Sequence, residues 1–180
     1  MTKCVSLTAC VGWIVIIGCS QERPTTTAPP TSNPALAVDG SKYLLSNEPD
    51  DGMNVIKARE ATKDGDQVVI VGRIGGGKSP WIEGRAAFFI VDCSLNACSD
   101  IPGDKCDQPW DYCCETHKLP TSTALVKVVD ENGDLMKADA RELLKVKELS
   151  TVVVTGKSQR DDAGNLTILA SGVYVKRCEL

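Results

Sequence analysis

Five cysteines fall within 22 residues: Cys93, Cys98, Cys106, Cys113 and Cys114. His117, the one histidine of the chain, follows Cys114 by three positions. Sulfur and imidazole at this density support two kinds of chemistry. Oxidised, the cysteines cross-link the segment, each bridge typically worth about 2–4 kcal/mol through its constraint on the denatured chain. Reduced, Cys98, Cys106, Cys113, Cys114 and His117 make a soft donor set for copper or zinc. No Cys-x-x-Cys is present, so the spacing is not that of a zinc ribbon, a thioredoxin-like dithiol or a haem-attachment site. With Cys178 near the end of the chain there are six disulfide candidates. Six cysteines allow fifteen complete pairings, and sequence alone does not choose among them. The cross-linked loop is the favoured reading, because a segment as long as 93–121 with no strand or helix pattern of its own is uncommon unless something ties it down.

The same segment is acidic. Between Asp92 and His117, Asp92, Asp100, Asp104, Asp107, Asp111 and Glu115 face Lys105 alone. Carboxylates can hold calcium through hard oxygen ligands, but the EF-hand spacing is missing, so a solvated acidic loop is expected. Trp110 and Tyr112 are expected to seal the loop against the domain. A second constellation lies outside the loop. Trp81 stands near Lys78 and Arg85, while Arg73, Lys157 and Arg160 occur next to the same connections. An indole among cations suits stacking on a base or a sugar. These six residues are the candidate ligand-binding face. Residues 51–178 nevertheless carry 17 Lys and Arg against 19 Asp and Glu, a net charge of −2. Single-strand binders rely on a basic groove, so nucleic acid is a poor candidate partner. Gly75-Gly76-Gly77-Lys78-Ser79 lacks the upstream glycine of a phosphate loop and opens no helix pattern, which leaves it a flexible hairpin. There is no Gly-x-Ser-x-Gly elbow and no His-Glu-x-x-His, and the expectation is a non-enzyme without a cofactor.

The elements that must position these residues are mostly strands. Val68 to Ile74 is a strongly β-branched run, followed by Ala86 to Asp92, Thr123 to Asp130, Thr151 to Lys157 and Leu166 to Val175. Met53 to Thr62 reads as a short helix or turn leading into the first strand. Asp139 to Lys145 reads as a short helix with Asp139 as N-cap and Leu143 and Leu144 on its buried side. Asn132-Gly133 and Asp161 to Asn165 are turns. The runs Val68–Arg73 and Val152–Lys157 echo one another, each with glycine then a base after four mostly β-branched residues. Glycine there is expected to relieve a tight curl or bulge.

With the helix between strands three and four, this order resembles that of the bacterial OB-fold families, supported by the Gly65 to Arg73 pattern of the first strand. The resemblance covers about residues 53–178. It implies a mainly β fold, a five-stranded Greek-key barrel with one short helix. It also implies ligand binding along strands two and three and at the loops between strands 1–2 and 4–5.

The chain has nine cysteines, an odd number. Its beginning accounts for the remainder. Lys3 precedes an apolar run, Val5 to Ile17, of 13 residues, short of the roughly 20 needed to span a bilayer. The run ends at Ile16-Ile17-Gly18-Cys19, which resembles the lipobox of bacterial lipoproteins. The resemblance implies cleavage before Cys19 and a covalent diacylglycerol on its thiol. Cys4 and Cys10 would leave with the signal, and the six disulfide candidates remain. Ser20 after the lipidated cysteine points to the outer membrane rather than the inner. Domain organisation is therefore expected as 1–18 signal peptide, 19–50 Pro/Thr-rich tether and 51–180 OB-like domain with the insertion 93–121. The expected function is a membrane-anchored cell-envelope binding module for an envelope protein, glycan or other oligomer. The alternatives are a metal or redox lipoprotein using the Cys/His loop, a structural envelope protein, and an OB-type nucleic-acid binder.

Overall fold

A computed structural model describes residues 39–176. The signal, Cys19, most of the tether and Cys178 lie outside the described residues. The described chain runs β1 (Met53–Asn54), α1 (Val55–Ala61), β2 (Gln67–Ile74), β3 (Ala87–Val91), α2 (Leu119–Ser122), β4 (Thr123–Val128), α3 (Ala140–Leu144), β5 (Thr151–Arg160) and β6 (Leu166–Val175). The fold is mainly β, a six-stranded mixed sheet with few and short helices.

Six strands replace the expected five, and the pairing of β2 supplies the reason. β3 pairs with β2 only at Arg73 and Ile74. The rest of that β2 edge would present unpaired backbone groups. The two-residue β1 covers part of it, in parallel, at Ile70 and Val71. Three short α-helices likewise replace the single one expected. α1 occupies the segment read as helix or turn, while α2 closes the cysteine insertion and had no sequence signal beyond Pro120 near its start.

The other edge of β2 pairs antiparallel with β5 from Gln67↔Lys157 to Arg73↔Thr151. β3 pairs with β4, β4 runs parallel to β6, and β6 pairs with β5. The ladder thus runs β2–β3–β4–β6–β5 and returns to β2. Along β2 the burial alternates, with Val68, Ile70, Gly72 and Ile74 inward, as a strand's period of two requires. The enclosed core gathers Ile70, Ile74, Phe88, Ile90, Val126, Val154, Ile168 and Leu144.

The sequence echo has a geometric origin. Val68 faces Gly156 and Gly72 faces Val152, so the two runs are related by the local two-fold of the β2–β5 pair. The register of β5 against β6 slips at Thr155/Gly156, a bulge. A side chain at Gly156 would put Cβ 2.1 Å from the Leu169 carbonyl oxygen. Helix α3 is capped as expected: the Asp139 carboxylate accepts from the Arg141 amide at 2.8 Å, and Leu143 and Leu144 are buried.

Gly156→Ala is expected to lower stability by about 1–3 kcal/mol, the range for forced overpacking, because the atom it meets is backbone. Denaturant unfolding of this variant checks it.

Candidate functional site

The cysteine insertion begins at Asp92, which is 1% exposed. Its amide donates to the Ser122 carbonyl at 2.9 Å, so the two ends of the insertion meet. Its carboxylate takes three donors: the Ile56 amide at 2.8 Å, the Ser94 amide at 3.0 Å and the Ser94 hydroxyl at 2.7 Å. Ile56 lies in the first turn of α1, where amides have no partner within the helix. Asn54, the residue before that helix, makes no side-chain cap. Asp92 caps it from 36 positions away.

The insertion then packs on the sheet with a small core of its own. Leu95, Ala97 and Tyr112 bury against Val91, with Ile56, Leu119 and Leu149 beside them. The ring of Tyr112 lies over Gly75, where an added Cβ would come within 2.8 Å of Cε2 and 2.9 Å of the Trp110 carbonyl oxygen. Gly75, the first of the three glycines, is therefore a seat for the insertion. Burial pushes the Tyr112 hydroxyl up to about 12. Trp110 donates its indole N–H to the Lys78 carbonyl at 3.1 Å. Arg73 closes the contact with two hydrogen bonds to Asp100, at 2.5 and 3.1 Å. Asp100 also accepts from the Ala97 amide at 2.9 Å. The Arg73 guanidinium holds the Asp100 carboxyl below the usual carboxylate range.

This seating brings three of the candidate thiols together. Cys98, Cys106 and Cys113 have their sulfurs all within 4.8 Å of one another. Cys98 Sγ and Cys113 Sγ are 3.2 Å apart. Cys98 is 2% exposed and Cys113 is open to solvent. The backbone fixes the approach: the Cys98 amide donates to the Asp111 carbonyl at 2.8 Å, and Ser99 to Pro109 at 3.0 Å. Cys114 joins the edge of this group, 3.9 Å from Cys113, and with Asp104 and Cys113 forms a second set within 4.8 Å. The Asp104 carboxylate accepts from the Cys106 amide at 2.6 Å. Cys93 belongs to neither set, and burial pushes its thiol up. His117 is exposed and belongs to neither set among the described residues. The expected five-residue donor set therefore contracts to three thiols, with Cys114 and Asp104 at one edge. The sequence places Asp104 in an acidic cluster, a solvated loop or calcium ligands; its place beside the thiols comes from the turn at Ile101–Asp104, where the Asp104 amide donates to the Ile101 carbonyl at 3.1 Å.

The six residues of the expected ligand face do not converge. Trp81 is 7% exposed. Its indole donates to Glu148 at 2.6 Å, its ring packs on Phe88, and Arg141 lies over it. It is a core residue because the segment carrying it bridges back to Phe88. Arg73 is held by Asp100. Arg160 is spent on backbone carbonyls of Thr62, Gly164, Ala58 and Arg59. Lys157 pairs with the start of β2 and Arg73 stands near its end, six residues or roughly 20 Å away. Lys78 and Arg85 are exposed on the β2–β3 connection, and the insertion lies against the former. Stacking of a base or sugar on Trp81 is thereby excluded in this conformation.

No protein-family model matches the chain, and no curated protein matches it significantly. Among the described residues no helix is long and apolar enough to cross a membrane.

Two outcomes follow from the seating. Asp92→Asn retains one acceptor oxygen but turns an amide donor toward one of the N–H groups. It is expected to cost about 1–3 kcal/mol, the price of a buried unsatisfied polar group, read as a lower urea midpoint. The Arg73–Asp100 pair gives the second. A carboxyl whose folded pKa is depressed contributes stability that is in full above its unfolded value, about 3.9, and disappears as the pH falls through the folded one. Trp110 fluorescence is expected to be constant above about pH 4 and to change on acidification below it. Arg73→Met should remove that acid step.

Proposed function

We propose that the protein is a lipid-anchored cell-envelope lipoprotein whose OB-like domain is an interaction module, with the cysteine insertion as its recognition surface. The closed run of ladders β2–β3–β4–β6–β5, with β1 a short addition to one edge and α3 between β4 and β5, supports the OB-like reading. Lipidation at Cys19 and a tether to about residue 50 would hold this domain clear of an outer membrane.

The observation that carries the choice of surface is the seating of Tyr112 and Trp110 on the β2–β3 connection. In OB-like domains this connection borders the usual binding face. Here the insertion occupies it, so a partner meets the insertion first. The exposed side of that insertion is acidic and presents backbone turns, which suits an envelope protein, a glycan or another oligomer better than nucleic acid.

Anchoring and recognition are tested separately. Cys19→Ala is expected to move the chain from the detergent phase to the aqueous phase; unchanged partition contradicts the anchor. A photo-crosslinking side chain at position 105 is expected to give a discrete adduct in intact cells, and the same group at position 157 none. Adducts at 157 alone would place recognition on the sheet instead.

A further inference from the structure

We infer that Cys98, Cys106 and Cys113 form a binding site for one thiophilic d10 cation, Zn2+ or Cu+. The inference stands on the thiol geometry and does not rest on the interaction-module reading. Metal–thiolate bonds of about 2.3 Å place the sulfurs of a trigonal or tetrahedral site roughly 3.7–4.0 Å apart. Three sulfurs already within 4.8 Å of one another need shifts of less than about 1 Å to close on one ion. A disulfide joins two sulfurs and would leave the third beside it; one ion engages all three.

The site is built rather than incidental. Cys98 comes from the 3-10 turn Cys98–Asp100, whose first two amides donate hydrogen bonds to the Asp111 and Pro109 carbonyls of the returning segment of the insertion. That pairing sets Cys113 opposite Cys98. Cys106 is oriented by the hydrogen bond its backbone N–H donates to the Asp104 carboxylate. Asp104 and Cys114 stand within 4.8 Å of Cys113, where either can supply the fourth ligand that Zn2+ takes and Cu+ does not require. Cys98 closes the site from the protein side and exposed Cys113 leaves it open to solvent, which gives an ion its path of entry. Binding is an exchange of protons for the ion: each ligating thiol releases one proton to water as its sulfur bonds the metal, and no electron is transferred.

An envelope location would favour oxidation of neighbouring thiols, and this sets the test. The full-length chain is extracted from cells whose thiols were alkylated at harvest, and its bridges are mapped by mass spectrometry. Separately, the reduced full-length chain in detergent is titrated with Zn2+ and with Cu+. The expected result is one ion per chain with about three protons released per ion, or about four where Cys114 completes a Zn2+ site, and no Cys98–Cys113 bridge at harvest. Elemental analysis of the chain purified from cells without alkylation identifies the resident metal, since raw affinity does not decide occupancy in the cell. Cys106→Ser and Cys113→Ser should each weaken binding more than about tenfold, since even loss of an outer-shell partner costs 10–100-fold. Cys93→Ser should leave it unchanged. A stoichiometric bridge between any two of the three at harvest, no ion bound by the reduced chain, or binding insensitive to both serine variants would each overturn the site. The stoichiometry and proton count of the unmutated chain decide the matter even if a variant misfolds.

Discussion

The Asp92 carboxylate, buried at the end of β3, takes donors from the start of α1 and from the start of the insertion. Its own amide meets Ser122, where the insertion ends. One residue thus joins an early helix, a central strand and both ends of a long excursion. Closing a flexible loop of this length carries an entropic cost that grows only slowly with length, but ordering its interior does not come free. Tyr112, Leu95 and Ala97 offset that cost by burial against Val91. They do so only because Gly75 leaves room for the ring. The thiol cluster sits at the end of this chain of dependence.

Much of the sheet was legible from residue type. Apolar, largely β-branched runs bounded by turns place β2 to β6 within a few residues, and β6 at its observed limits. Asp139 and its two leucines gave α3. What escaped was set by pairing across long sequence separations. Nothing in Met53-Asn54 signals a strand; it pairs because β3 leaves part of β2 uncovered. Trp81 looked like a stacking platform beside cations. Its indole N–H instead finds Glu148, 67 positions away, a partner no local pattern reveals. Gly75 was read for flexibility when its use is clearance, and clearance is visible only once Tyr112 is placed.

The insertion was recognisable as the distinctive part of the chain, and its cysteines as the residues that carry chemistry. Which of them act together was not. Spacing alone gave Cys114 and His117 equal standing with Cys98, Cys106 and Cys113. The backbone pairing of Cys98 with Asp111 and of Ser99 with Pro109 makes the distinction, because it folds Cys98 onto Cys113. Arg73 shows the same principle from the sheet side. A cation at the mouth of the domain looked available for a ligand, and it is consumed in holding Asp100 and with it the turn that bears Cys98.

The central claim is that the insertion is a built part of the domain, seated through Asp92 and Gly75, rather than a loop that acquires order only when cross-linked. Native-state amide hydrogen exchange on the reduced chain tests this most directly. The Cys98 and Ser99 amides, bonded to Asp111 and Pro109, should exchange far more slowly than unstructured amides and open together, below the free energy at which β5 opens. Exchange of both at unstructured rates in the reduced chain, with β5 still protected, would contradict the account.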